Sequence, residues 1–413
     1  MFSAYITLFR TPGALRFSIA GLFARMPISM DSLALVFIVV AASDSYAIAG
    51  ALSASASIVM SIVMPYWAGV ADRIGQRALL IRVVPFKVAG MLIFIALVLN
   101  NAPTWSWFVS IIFAEAFSVN LGGLVRRRWL HILSPDKSST AEDMSDRHLV
   151  NTAYSLEALN DEFVYIAGPI IATACATSIA PAAGLMAGII FLVTGIPAFL
   201  SLRATEPPPA PRLEHAPHPA VIRNKSLQAV VLPILFVGGF FGAISIVTVA
   251  FADSYGHKSQ SGILLAIWAI GSAIAAIVNG LIKWKISHAG RFILSLFALT
   301  VLAIPLLFVH SILALALALF FNGFAIAPLI INAYGVAESS VPPEQITQTL
   351  SWVVAGAPLG GAAASAIAGW SIDIYGAKNA YWVPVGFLAA ALIATLPYLS
   401  TYKRLIGYSS KHD

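Results

Sequence analysis

Apolar residues run through this chain in long unbroken blocks. They show neither the alternation of half-buried strands nor the single stripe of a soluble helix. The blocks fall at residues 17–40, 46–68, 80–100, 104–125, 152–177, 182–202, 228–252, 259–282, 292–309, 311–335, 346–371 and 379–400. Each is long enough to cross a hydrocarbon core of ~30 Å at ~1.5 Å per residue. Twelve membrane helices are therefore predicted. Blocks of this kind exclude a closed β-barrel, whose strands alternate in polarity.

Polar stretches divide the blocks six and six. Residues 203–219 are rich in proline and have no apolar periodicity, so a semi-rigid linker is predicted over 204–225. Residues 1–203 then form one six-helix bundle and 226–413 a second. A further polar stretch at 134–147 joins the fourth and fifth blocks, just after the basic cluster Arg126-Arg127-Arg128-Trp129. That cluster reads as a topology and headgroup signal.

Composition and charge sharpen the picture. Of 413 residues, 59% are hydrophobic and 10% charged, against roughly 25% charged in a soluble protein. All but three of the 24 lysines and arginines are assigned to the termini and loops of one side. Lys258 and Lys378 fall on the other side, and Arg25 lies inside a block. This asymmetry places both termini in the cytoplasm of a multi-pass inner (plasma) membrane protein. The net charge of +6 thus reports topology and does not imply a nucleic-acid partner. The first block carries Arg25 and Asp31 and is expected to be a retained helix rather than a cleaved signal. The lone cysteine, Cys175, rules out an internal disulfide.

Ionisable groups inside a span are costly unless paired or hydrated. The first six blocks hold Arg25, Asp31, Glu115, Glu157, Asp161 and Glu162, whereas the last six hold none away from their ends. Helical rise places Arg25, Glu115, Asp161 and Glu162 in one layer, roughly 13–15 Å from a membrane face. Arg25 and Asp31 lie about 120° apart around their helix and are not expected to pair with each other. One guanidinium then faces up to three carboxylates, and at least one of them is expected to exchange a proton. Glu115 and Asp161 are the first candidates for proton coupling, followed by Asp31 and Glu162. Glu157 is expected to pair with Arg126 or Arg128. Arg25 either anchors the carboxylates or binds an anionic solute. Buried ion pairs that only hold helices together are the alternative reading of all these groups.

Between the second and third blocks the chain reads Gly69-Val-Ala-Asp72-Arg73-Ile-Gly75-Gln-Arg77-Ala78. Glycines without a Cβ would let helix ends approach at Gly69 and Gly75. The pattern resembles the loop 2–3 signature of the major facilitator superfamily, G-x-x-x-D-R-x-G-x-R. The resemblance implies an all-α membrane protein with twelve transmembrane helices in two pseudo-symmetric six-helix bundles. It also implies solute transport by alternating access. A decayed echo, with Gly280, Lys283, Lys285, Gly290 and Arg291, follows the eighth block without its aspartate. By the same resemblance Asp72 would sit against the eleventh helix where it opens at Pro342-Pro343-Glu344-Gln345, latching the two halves. Arg73 and Arg77 would hold the loop against nearby acids.

In the fifth block, Gly168-Pro169 resembles the Gly-Pro motif of drug:proton antiporters. Ile170 and Ile171 follow where that pattern continues with a glycine pair. Together with Arg126-Arg127-Arg128-Trp129, Tyr154, Glu157 and Asp161-Glu162-Phe163, it resembles an actinobacterial branch of the superfamily. The resemblance implies that helices 1, 4, 7 and 10 line a cavity. Phe236, Phe240, Phe241, Asn322, Phe324 and Asn332 are assigned to it, with Trp268 and Trp352 from helices 8 and 11. Aromatic rings with a few amides and carboxylates suit a small, lipophilic, cationic solute. Gly356, Gly360, Gly361, Ala364 and Ala368 on the eleventh helix are expected to pack across the two halves.

The resulting expectation is a monomeric, proton-coupled exporter whose partners are a small-molecule solute and the lipid bilayer. No cofactor or metal is expected, with the proton gradient as energy source. The alternative is an importer or uniporter of a polar or anionic nutrient. An enzyme is the third class, since Glu157 and Asp161 have the spacing of a metal-diphosphate motif on one helix face. Such sites need two acidic motifs, and the chain offers neither a second one nor a nucleotide loop or zinc spacing. No enzymatic activity is expected.

Overall fold

A computed structural model describes residues 2–133, 143–209, 224–282, 284, 286–340 and 346–409. Every predicted block falls on helix. A short α1 (Phe2–Arg10) precedes the first block, which is made of two helices, α2 (Ala14–Arg25) and α3 (Pro27–Ser43). The second and third blocks are α4 (Tyr46–Ile74) and α5 (Gln76–Leu99). The fourth is again a broken pair, α6 (Thr104–Glu115) and α7 (Leu121–Leu133), followed by α8 (Asp143–Ser178) and α9 (Ala183–Ser201). Beyond the linker come α10 (Lys225–Ser254), α11 (Ser261–Leu281) and α12 (His288–Ala303). A third broken pair, α13 (Ile312–Gly323) and α14 (Ile326–Ser339), leads to α15 (Ile346–Tyr375), α16 (Trp382–Ile393) and α17 (Leu399–Ser409).

Nine spans among the described residues are long and apolar enough to cross a membrane. The other three predicted blocks are helical too. One is divided between α6 and α7, one lies in α8 with its three acids, and one lies in α15. Large apolar side chains such as Ile62, Trp105 and Leu313 are exposed, as lipid-facing positions require.

The helix breaks have identifiable causes. Pro27 lacks the N–H that would reach the Phe23 carbonyl. Met26 takes that carbonyl instead, in a tight turn at 3.2 Å. At the α6–α7 break, the Trp67 indole donates to the Ala116 carbonyl at 2.8 Å, and the Asn120 side chain accepts from the Gly123 N–H at 3.0 Å. One orphaned backbone group at each helix end is thereby satisfied, the kind of compensation that irregular backbone at membrane depth needs.

By contacts the chain forms two compact units, Met1–Ala34 with Ile62–Glu214 and Leu35–Ser61 with His215–Asp413. Part of the predicted linker, 210–223, lies outside the described residues. In the first unit a core of Leu8, Phe17, Leu79, Val125, Trp129 and Phe199 joins α1, α2, α5, α7 and α9. In the second, α15 packs along α10. A Cβ at Gly361 would meet the Gly238 carbonyl at 3.2 Å, and one at Gly360 would meet the Gly239 nitrogen at 3.1 Å. Of the small-residue stripe expected to pack across the two halves, Gly356, Gly360 and Gly361 therefore face α10 inside the second unit.

Candidate functional site

The first unit holds two charged networks. Around Arg25, at the last residue of α2, the guanidinium donates to Glu157, to Asp161 Oδ1 at 2.7 Å and to the Gly21 carbonyl at 3.1 Å. Glu157 and Asp161 are four apart on α8 and so share a face. Asp161 Oδ2 accepts a second arginine, Arg126, at 2.7 Å. Glu157 is closed off further by the Trp129 indole at 2.8 Å and the Ser18 hydroxyl at 2.6 Å, and Asn160 in turn donates to Ser18. Arg25 and Glu157 are fully buried, whereas Asp161 and Arg126 are each about one-third exposed. Two cations meet two anions.

The second network is a triad. Lys87 on α5 donates to Glu115 Oε1 at 2.6 Å and lies 3.7 Å from Asp31 Oδ2. The other oxygen of Glu115 accepts the Ser118 hydroxyl at 2.5 Å. Gly90 explains the meeting of α5 and α6, because a Cβ there would collide with Ala114 at 2.8 Å. The crossing at Gly90 brings Lys87, one turn earlier, beside Glu115 at the end of α6. Glu115 is 6% exposed and Asp31 20%, so Asp31 has both the longer contact and the greater access. One cation faces two anions here.

These positions revise the single layer expected from helical rise. Glu115 pairs with Lys87 rather than Arg25. Glu157 pairs with Arg25, Trp129 and Ser18 rather than with Arg126 or Arg128. As the helical angle requires, Arg25 and Asp31 do not pair with each other. Glu162, half-buried, is in no ion pair among the described residues. Sequence reasoning missed Lys87 because it was counted with the loop cations of one side. It lies inside an apolar block, and a lysine there demands an acidic partner. That signal was available.

Arg128 is buried on its own business. It donates to Gln76 at 2.9 Å, to the Phe199 carbonyl at 2.9 Å and to Thr205 at 3.1 Å, and stacks 3.7 Å from the Phe199 ring centroid. In the turn between α4 and α5, Gly75 has φ +88°, a conformation that favours glycine. Gly69 has open space around it, so it serves no close approach within its unit. Asp72 is ion-paired with Arg127 of the basic cluster. The Arg77 N–H donates to Glu206 at 2.7 Å and its guanidinium to the Leu200 carbonyl at 3.0 Å, while Arg73 is exposed. The helix start at Pro342-Pro343-Glu344-Gln345, and Lys283 and Lys285 of the echo, lie outside the described residues.

Gly168 and Pro169 mark where α8 meets α3. Ser29 fills the space a Cβ at Gly168 would take, and its hydroxyl donates to the Val164 carbonyl at 2.7 Å. In the second unit, Asn322 is fully buried, accepting from Trp268 at 3.0 Å and donating to the Leu299 carbonyl at 3.0 Å. Phe240 is also fully buried, edge-on to Trp268. Asn332 is buried with His288 at 3.1 Å and the Pro328 carbonyl at 2.7 Å. Asn322, Asn332 and Phe240 therefore spend their polar atoms or rings on neighbours. Phe236 is half-buried against Phe387. The side chain of Trp352 lies outside the described residues.

The sequence model of the Major Facilitator Superfamily matches residues 232–406. No curated protein sequence matches the chain. Among solved structures, a point mutant of the nucleoside transporter NupG is 12% identical, with a TM-score of 0.70, covering 95% of this chain and 99% of that one. An auto-inhibited peptide transporter of the POT family is 14% identical, with a TM-score of 0.72 over 94% and 96% of the two chains. A bacterial homologue of the iron transporter ferroportin, in an inward-facing state, is 13% identical, with a TM-score of 0.64 over 93% and 98%. The fold is that of the major facilitator superfamily, whose sequence model matches the second half of the chain.

Proposed function

We propose that the protein is a proton-coupled exporter of a small lipophilic cation, with coupling at Asp31, Lys87 and Glu115. The observation that carries this reading is the charge imbalance of the triad. One ammonium is shared by two carboxylates in a buried site next to the α6–α7 break. With both acids ionised the triad sums to −1, and one proton brings it to zero. An organic cation near Asp31 would do the same. Proton and cation then compete for one neutralising role, and competition is what exchange requires. Asp31 is the exchanging group, since it has the longer contact to Lys87. Glu115, held by Lys87 and Ser118, positions the lysine.

Uptake of an anion through Arg25 is less well supported, because that guanidinium is already engaged by Glu157 and Asp161. The expected setting is the plasma membrane, with a monomer whose two termini face the cytoplasm and which draws on the proton gradient. The test uses ethidium as a fluorescent lipophilic cation in proteoliposomes acidified inside. Accumulation should follow the gradient, collapse with a protonophore, and fall to background in Asp31→Asn. Movement of ethidium indifferent to both the gradient and that substitution would refute the coupling assignment.

A further inference from the structure

Residues 35–61 belong by their contacts to the second unit, yet the stretches on either side of them, the start of α3 and the end of α4, belong to the first. The end of α15 holds this segment in place. The chain turns tightly into α4 at Asp44, whose φ is +51°, and Ser45 then caps the helix by accepting from the Ile48 N–H at 3.2 Å. Asp373, near the last turn of α15, accepts from the Tyr46 N–H at 2.9 Å, the Ala47 N–H at 2.9 Å and the Ser45 hydroxyl at 2.8 Å. Successive free N–H groups of the first turn are thus satisfied, two of them by a carboxylate from a distant helix facing the positive end of α4. Beside this cap the Tyr46 hydroxyl donates to Asp253 at 2.8 Å, and Lys258 holds the same carboxylate oxygen at 2.9 Å.

The backbones run close below it. A Cβ at Gly50 would meet the Ser365 carbonyl carbon at 3.1 Å, and one at Gly369 would meet the Ala47 Cα at 3.1 Å. The contact is therefore made of polar groups at its rim and bare backbone beneath. Asp373 itself is exposed, so water can replace each of its bonds and the cap can open at small cost. A larger apolar interface would not let go so readily.

We propose that Asp373 is a releasable latch, which holds residues 35–61 on the second unit in this conformation and frees them in another state of the transport cycle. Alternating access needs contacts of this kind at one end of the molecule to break and re-form. The idea depends on the transporter class and is independent of which acids carry the proton.

The test is the rate at which a membrane-impermeant maleimide labels Ser365→Cys, introduced into the full chain in a Cys175→Ser background. Ser365 is buried where Gly50 crosses α15. Asp373→Ala should speed labelling about fivefold, the change in population expected when a helix loses its cap. Asp373→Asn, which keeps the shape and one acceptor oxygen, should give a smaller rise. It is also the arm that survives if the alanine variant fails to fold. A folded Asp373→Asn protein labelled no faster than its parent overturns the latch. Labelling involves neither ethidium nor a pH gradient, so its outcome is separate from that of the coupling test.

Discussion

Arg25 and Lys87 are both cations buried among acids in the first unit, and they differ in what is left once partners are counted. Around Arg25, the network closes at zero net charge, since Arg126 supplies the second cation for Asp161. Three neutral donors or bridging groups, from Trp129, Ser18 and Asn160, fill the remaining positions on or beside Glu157. Around Lys87, the count ends with one negative charge in excess, with one acid held at 2.6 Å and the other at 3.7 Å. A balanced and saturated network has nothing to gain from a proton. An unbalanced one gains neutrality, at the group with the looser contact. Closeness of charges alone does not distinguish a structural tie from a switch; the remainder after pairing does.

The largest expected effect comes from breaking the balanced network. Arg25→Ala leaves Glu157 fully buried with no cation, a loss on the order of 3–5 kcal/mol for a buried pair deprived of one partner. Thermal unfolding of purified protein should show a large drop in midpoint at every pH tested near neutrality. A midpoint within a degree of the parent would mean that Glu157 is not held as an anion by Arg25 and that the contrast between the networks is unfounded.

Removing the cation of the other network should show most clearly as a dependence on pH. In Lys87→Met, Asp31 and Glu115 face each other with no positive charge between them. Protonating either acid relieves the repulsion, so this folded variant takes up a proton that its unfolded chain does not need. Stability is then fully present at low pH and is lost as pH rises. The melting point of Lys87→Met should therefore climb toward the parent's as pH is lowered. A parallel fall at all pH values would show packing loss only.

Much of this was legible in the sequence. Long apolar blocks announce membrane helices whatever their partners, because the bilayer imposes length and apolarity on each helix separately. Every block accordingly lies on helix, and the acids at 31, 115, 157, 161 and 162 stand out in the sequence as ionisable groups inside apolar blocks. The partnering was not legible. Helical rise gives depth but not azimuth across neighbours, so Glu115 was placed with Arg25 when the Gly90 crossing turns it to Lys87 instead. The interruptions in the first, fourth and tenth blocks were also hidden. Hydropathy is an average, and the features that support a break are single side chains such as Pro27, Trp67 and Asn120.

The smallest expected effect belongs to the loop that resembles the superfamily signature. Asp72 is about half exposed and Arg127 about one-third, so their ion pair should contribute only ~0–1 kcal/mol. Asp72→Asn alone should barely move the melting point. The informative measurement is the cycle formed with Arg127→Gln. If the pair is all that Asp72 does, the double variant should lose no more than either single one, because the second substitution removes a group that has already lost its partner. If Asp72 also caps the helix that opens near Ile346, as the resemblance implies, Asp72→Asn would change the accessibility of Ser365→Cys while Arg127→Gln would not. A weak, exposed pair is thus the one whose melting point says least and whose conformational readout says most. A structural tie shows itself in stability, whereas a gate shows itself in which state is populated.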